Sequence, residues 1–175
     1  AFSVLVGLLG FINLIFIKKP IVYNQNNNSS LVSVLIPARN EEINIKRCLY
    51  SLIDQSYKNL EIIVLDDDSS DQTFEIVKEI SGKYDSVRLI KGENKTKGWT
   101  GKNWACFQLS KHAKGDFLLF VDADTKLQKN TIAESVSEMN NNDIDLITLF
   151  PNRITKTAID KVISVTIGWF IFSCL

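Results

Sequence analysis

Two aspartates one residue apart, Asp122 and Asp124, close an apolar run that begins at Phe117. An apolar run that stops at carboxylates reads as a buried strand presenting charge at its C-terminal edge. Residues i and i+2 of a strand face the same way. If the extended geometry persists to Thr125, both carboxylates can converge on one cation. Like charges this close repel, and a divalent ion would relieve the repulsion. The same residues also suit a plainer role, capping the turn or helix that follows. Other polar clusters follow apolar runs in the same way. Pro37-Ala-Arg-Asn-Glu-Glu42 comes after Leu31–Ile36, and Asp66-Asp67-Asp68 comes after Glu61–Leu65. Arg39 and Lys102 add cations to this inventory.

The elements that must position these residues alternate. Leu31–Ile36, Glu61–Leu65, Val87–Ile90, Phe117–Val121 and Asp145–Phe150 read as five strands. Between them, Ile45, Leu49, Leu52 and Ile53 lie at helical spacing, and Phe74, Val77 and Ile80 mark a second helix that Ser70 or Asp71 can cap. Lys91–Gly101 reads as a loop, Lys102–Ala113 as a third helix, and Val136 and Met139 belong to a fourth after Asn130. Alternation of this kind predicts an α/β fold with a mainly parallel sheet and right-handed crossovers. Ligands of such sheets bind outside the carboxyl ends of the strands, which is where the acids and Arg39 fall.

Several chemistries are excluded. No G-x-G-x-x-G follows the first strand and no G-x-x-x-x-G-K-[ST] occurs. Asp66-x-Asp68-x-Ser70 is not a calcium loop, because Asp71 and Val77 stand where Gly and Glu are needed. His112 is the single histidine, and Cys48, Cys106 and Cys174 are too far apart for a metal knuckle. The cysteines read as small buried apolar residues. Lys+Arg and Asp+Glu number 20 each, which gives no basis for a nucleic-acid partner. A phospho-receiver domain also gathers strand-end acids, but its late-strand Lys has no counterpart at Leu149-Phe-Pro151. The acids, Arg39 and Lys102 suit a nucleotide diphosphate. Carboxylates can accept hydrogen bonds from a base and from ribose hydroxyls, a metal on Asp124 can bind the diphosphate, and Lys102 can balance charge.

At 175 residues, with 45% apolar content, the chain has room for one domain with a real core. Residues 1–19 are expected to form a transmembrane anchor. Ala1–Ile17 is apolar all round, and its 17 residues make a helix of about 26 Å. A signal peptide is the competing reading, but no small-x-small cleavage pattern precedes Lys18. From Lys18 and Lys19, the following domain is expected on the cytoplasmic side of a cell membrane. Residues 20–30 read as a polar linker and 31–157 as a ligand-binding domain that is incomplete. Residues 158–175 read as an interfacial helix or the start of a second membrane segment. The sequence opens at Ala1 without Met and closes at Leu175 inside an apolar run, as expected of an N-terminal fragment.

Three stretches in order carry a resemblance: Val32–Glu42, Glu61–Thr73 and Phe120-Val-Asp-Ala-Asp-Thr125. Together they resemble family 2 glycosyltransferases of the A-type fold, a Rossmann-like nucleotide-diphospho-sugar transferase fold. Gly98-Trp-Thr-Gly-Lys-Asn-Trp-Ala-Cys106 and Pro151–Lys156 are similar to membrane-bound members associated with carotenoid and hopanoid pathways. The resemblance implies that Pro37, Ala38, Arg39 and Glu41 line the nucleotide pocket, with Glu41 near the ribose. It implies that Asp67 bonds the base and that Lys102 lies near the phosphates or donor sugar. Asp124 would bind Mg²⁺ or Mn²⁺, and Asp122 would contact the ribose or a metal-bound water. Asp68 stands where the family often has Gly and is expected to be a turn residue. Trp99 and Trp104 either contact an apolar acceptor or pack under their loop. The implied activity is metal-dependent inverting hexosyl transfer from a nucleotide-diphosphate sugar, with UDP-sugars favoured, to a lipid-like acceptor. The alternatives are an enzyme building a cell-surface polysaccharide and a catalytically incomplete nucleotide-sugar-binding scaffold. The family's general base is expected beyond Leu175, so this stretch would bind nucleotide without efficient transfer.

Overall fold

The computed structural model describes residues 30–149 together with Thr157 and Asp160. The chain divides into two compact units, Val22–Asn142 and a second made of Ala1–Ile21 with Asp143–Leu175. The first carries eight elements in order: β1 (Val32–Ala38), α1 (Ile45–Ile53), β2 (Leu60–Asp66), α2 (Thr73–Ser81), β3 (Val87–Lys91), α3 (Gly101–His112), β4 (Phe117–Phe120) and α4 (Thr131–Asn142). The strands form one sheet in the order β3-β2-β1-β4, and every pairing is parallel. The α/β fold with a parallel sheet expected from alternation is therefore present.

Strand residues alternate between two cores because side chains of a strand point to opposite faces. Val32, Val34 and Ile36 of β1, with Ile62 and Val64 of β2, pack with Ile45, Cys48, Leu49 and Leu52 of α1, Val77 and Ile80 of α2, and Ile132 and Val136 of α4. On the opposite face, Leu35, Ile63 and Leu65 pack with Ala105 and Leu109 of α3. Burying an aliphatic side chain of this size stabilises by about 1.5–3 kcal/mol, so these two clusters fix which helix lies on which face.

Three expectations need correction. β1 runs on through Pro37 and Ala38, which read as loop in the sequence. Proline lacks an N–H, yet here no bond is lost. Leu35 turns its carbonyl to β4, where it accepts from Val121 N–H at 3.0 Å, and Pro37 two residues on turns the same way. The ladder to β4 has ended by then, at Leu35 opposite Phe120. Second, β4 is not buried on both faces. It ends the described sheet, and Leu118 and Phe120 are 46% and 48% exposed. Third, residues 145–149 form no strand, and Leu146 and Leu149 are exposed. An apolar run specifies a strand only where a neighbour offers a ladder.

In the second unit, Thr157 and Asp160 exchange reciprocal bonds. Thr157 N–H donates to Asp160 Oδ2 and Asp160 N–H donates to Thr157 Oγ1, both at 3.1 Å. This is the geometry of a helix-starting capping box. The expected anchor at 1–19 and the body of 158–175 lie outside the described residues, as does all of the linker at 20–30 except Ser30. Among the described residues, no helix is long and apolar enough to cross a membrane.

Candidate functional site

The carboxyl ends of β1, β2 and β4 carry the site, and two loops there are laced together by their own polar groups. Asn40 N–H donates to Ser69 Oγ at 3.0 Å, and Asn40 Oδ1 accepts from Ser70 N–H at 2.8 Å. Glu41 N–H donates to Thr73 Oγ1 at 2.7 Å, and Glu42 N–H donates to Asp71 Oδ2 at 3.1 Å. Gln72 N–H returns a bond to Glu42 Oε2 at 3.0 Å. Asn40 and Asp68 both sit at positive φ, 55° and 57°. Asn and Asp tolerate that region best among non-glycine residues. Asp68 is thus the turn residue expected of it, and it is exposed.

Burial acts to raise the pKa of Asp71. Hydrogen bonds from the Thr73 hydroxyl and N–H and from Glu42 N–H prevail and hold its carboxyl below the ordinary value. Asp66 is 6% exposed, and its Oδ2 accepts from Ser69 N–H at 3.4 Å. Its Oδ1 is buried without a partner among the described residues, a cost to stability carried at the end of β2, next to Asp67.

Asp67 faces outward from that loop. Its Oδ2 lies 3.7 Å from Arg39 Nη1, and a Cβ placed on Gly101 would come within 3.6 Å of the same oxygen. The Asp67 carboxylate therefore sits beside the N-terminus of α3, where the helix dipole favours an anion. The next residue of α3, Lys102, places Nζ 2.7 Å from Asp122 Oδ1. That hydrogen bond raises the lysine pKa, partly opposed by burial. Ala38 is buried beneath this rim, and its carbonyl accepts from Asp67 N–H at 2.9 Å. It supports the loop from below, and Pro37 is half-buried beside it.

The D-x-D pair keeps the expected sidedness although the ladder ends at Phe120. Val121 and Ala123 are buried and Asp122 and Asp124 exposed, so both carboxylates face solvent. A turn closes at once, with Thr125 N–H donating to the Asp122 carbonyl at 2.9 Å. Behind the pair lies Cys48 of α1. Burial and then the Asp124 carboxylate push its thiol up to about 12. Arg47 acts in the opposite direction, and Glu41 and Asp122 add to the rise. Glu41, Asp122 and Asp124 thus lie within electrostatic reach of one buried group. The protonated thiol donates to the Asp122 carbonyl at 3.8 Å, and Arg47 Nη2 donates to the Asp124 carbonyl at 3.2 Å.

Pattern reading had placed Cys48 in the core, where it is, but missed its S–H bond. It also passed over Arg47 and Asn44, whose polar positions on an amphipathic helix look like ordinary surface. An Asn before an Arg three residues on, in the loop-to-helix junction after a strand end, was the available signal.

Just past the end of α1, Gln55 holds the segment leading from the D-x-D turn to α4. The buried Gln55 donates from Nε2 to the Gln128 carbonyl at 2.7 Å and accepts at Oε1 from Ile132 N–H at 3.2 Å. Trp99, Trp104 and Phe107 cluster: Trp104 and Phe107 stack with centroids 5.7 Å apart, and Trp99 meets Trp104 edge-on at 5.5 Å. Trp104 Nε1 donates to the Glu93 carbonyl at 3.1 Å, so this indole packs under its loop, while Trp99 stays partly exposed. A separate cavity of about 400 Å³ against α2 and β3, lined by Phe74, Lys78 and Arg88 among others, holds no carboxylate.

Arg39, Glu41, Asp67, Lys102, Asp122 and Asp124 therefore share one rim. Among the described residues no three carboxylates, thiols or imidazoles gather as a closed metal cage. Two adjacent exposed carboxylates are instead the donor set that Mg²⁺ or Mn²⁺ uses when phosphates and waters complete the shell, so the residues fit such an ion.

The family described as "Glycosyl transferase family 2" matches residues 33–161. The 4,4'-diaponeurosporenoate glycosyltransferase of Staphylococcus haemolyticus is 38% identical over 112 residues, 64% of this chain and 29% of that protein. A mannosyltransferase from Pyrobaculum calidifontis, solved with GDP-Man and Mn²⁺, superposes with a TM-score of 0.63 at 25% identity. That match covers 77% of this chain and 40% of that one. S. aureus TarS 1-349, solved with UDP-GlcNAc, gives a TM-score of 0.56 at 28% identity, over 72% and 37% of the two chains. The chain thus spans well under half the length of these relatives.

Proposed function

The chain belongs to glycosyl transferase family 2, and on that footing we propose that its strand-end rim binds a nucleotide-diphosphate sugar for inverting transfer to a lipid-like acceptor at a membrane. The convergence of Asp67, Lys102, Asp122 and Asp124 on one rim carries this reading. Asp67, set beside the first turn of α3, offers acceptor oxygens to the N–H groups of a base. Glu41 would accept from ribose hydroxyls, and Lys102 and Arg39 would supply the cations that a diphosphate needs. UDP-sugars are the favoured donors. Asp124 and Asp122 would hold Mg²⁺ or Mn²⁺, which when bound neutralises charge on the departing diphosphate.

In the transfer itself, an acceptor oxygen forms a bond to the anomeric carbon as the bond to the nucleotide diphosphate breaks and the diphosphate leaves with the electron pair. Attack from the face opposite the leaving group inverts the centre. The 38% identical relative is named for a carboxylate acceptor. A carboxylate is ionised at neutral pH and has no proton to remove. A hydroxyl acceptor would need a general base, and none of the described residues is assigned that role. An apolar acceptor accords with a membrane location, with the catalytic domain on the cytoplasmic side.

The test is titration of UDP-GlcNAc, UDP-glucose and GDP-mannose into the protein with and without Mn²⁺. Binding should tighten with the ion, and Asp124→Ala should lose at least about tenfold in the presence of Mn²⁺, equivalent to 1.4 kcal/mol. Binding that ignores both the ion and the substitution would refute the cation role.

A further inference from the structure

Resting on that reading of the site, we propose that Arg47 is a positioning residue. Together with Asn44 it forms a strut coupling the nucleotide pocket at Glu41 to the cation-binding turn at Asp124. The strut is three hydrogen bonds long. Asn44 Nδ2 donates to Glu41 Oε2 at 3.0 Å, Arg47 Nη2 donates to Asn44 Oδ1 at 3.4 Å, and the same Nη2 donates to the Asp124 carbonyl at 3.2 Å. Residues three apart share one side of a helical turn, so Glu41, Asn44 and Arg47 line up across the start of α1.

Two observations separate this arrangement from ordinary surface polarity. Asn44 holds the N-cap position of α1, where an Asn side chain normally accepts from a first-turn N–H. It makes no such bond, and both ends of its amide go to Glu41 and Arg47. Arg47 also lies among carboxylates, since it and Glu41, Asp122 and Asp124 all act on the Cys48 thiol. Yet none of the ion pairs among the described residues uses it. Its guanidinium is spent on a main-chain carbonyl and on the Asn44 amide. The turn is fixed in place while the Asp124 carboxylate stays free of a competing cation.

Cys48, the next residue, holds the Asp122 carbonyl. Both main-chain carbonyls of the D-x-D pair therefore hang on adjacent residues of one helix, and the loop entering that helix carries Glu41. When Glu41 engages a ribose, it holds its end of the strut, and the order passes to the turn at Asp124. Linkage makes the effect reciprocal: a cation at the turn must tighten nucleotide binding beyond its direct contact with the diphosphate.

The experiment measures how strongly Mn²⁺ tightens UDP and GDP binding to the full chain, for wild type, Asn44→Ala, Arg47→Gln and Arg47→Lys. Mn²⁺ binding alone is followed by paramagnetic resonance. None of these substitutions touches Ile45, Leu49 or Leu52, the apolar contacts that seat α1, and thermal melts check the fold. Asn44→Ala and Arg47→Gln should each cut the Mn²⁺ enhancement about fivefold while leaving metal-free affinity within about twofold. Arg47→Lys keeps the charge but has only a point donor, and should recover part of the loss. An unchanged enhancement in both variants would overturn the proposal. So would an equal loss with and without Mn²⁺, the mark of a purely local structural role. Tighter Mn²⁺ binding by Arg47→Gln would also sink it, since Arg47 would then act only as a repelling charge. If wild type shows no Mn²⁺-dependent binding at all, the donor-site reading itself fails, and this inference fails with it.

Discussion

Single residues at the rim are held by hydrogen bonds more than by ion pairs. Lys102 and Asp122 are 63% and 59% exposed, and pairs in that setting contribute about 0–1 kcal/mol. Their close approach matters for what the rim can bind, and stability lies elsewhere, in bonds such as those to Asp71. Because its folded pKa is depressed below 3.8, Asp71 stabilises the fold above that pH, and the contribution fades as pH falls through the folded value. Asp71→Asn should therefore be less stable than wild type at neutral pH, with the gap narrowing below pH 3.8. Urea unfolding at a series of pH values measures it; a gap that stays constant to low pH would contradict the assignment. Asp67, Asp122 and Asp124 were legible in the sequence because they follow apolar runs directly. Asn40 was not, since its function depends on a left-handed backbone that meets Ser70, and neither the conformation nor the partner is local in the sequence.

Among the elements, β4 delivers the D-x-D pair, and its register depends on a glycine. A Cβ at Gly115 would lie 2.6 Å from Ser33 N and 2.7 Å from the Leu31 carbonyl. Both are backbone atoms of the segment that β4 pairs with, so neither can step aside. Gly115 N–H also donates to Ser33 Oγ at 2.8 Å, and Ser33 in turn donates to Glu61 Oε1 at 2.6 Å. The entries of β1, β2 and β4 are tied at one point. Gly115→Ala should cost about 1–3 kcal/mol in urea unfolding, the usual range for forced overpacking. It should also weaken nucleotide-sugar binding, because any slip of β4 displaces Asp122 and Asp124. A variant as stable as wild type would show that β4 accommodates the methyl group.

Central strands and the helices α1, α2 and α4 were readable because their apolar spacing is strong; α4 begins after Asn130 as expected, and α3 falls within a residue of expectation although its apolar spacing is weak. The extension of β1 through Pro37 was unreadable, since it relies on β4 having ended beside it. The apolar run at 145–149 misled for the complementary reason: spacing records a capacity to pair, and pairing needs a neighbour.

At the scale of the whole molecule, the alternation of elements and the three ordered polar stretches were enough to indicate the α/β architecture and the family, whereas the internal bracing of the rim emerged only in three dimensions. The sheet order β3-β2-β1-β4 also sets a timetable for assembly. β1 meets β2 across a separation of 28 residues but meets β4 across 85. Closing the longer loop costs more chain entropy and yields only four paired residues. As the chain leaves the ribosome, β1, β2 and β3 can associate while the D-x-D segment is still being synthesised. Pulse-labelling hydrogen exchange during refolding should show Val34 and Ile63 amides protected before Leu119, and simultaneous protection would refute this sequence. On the proposed reading, a nascent chain would have no cation site until β4 docks, so metal encountered during synthesis would have nothing complete to occupy.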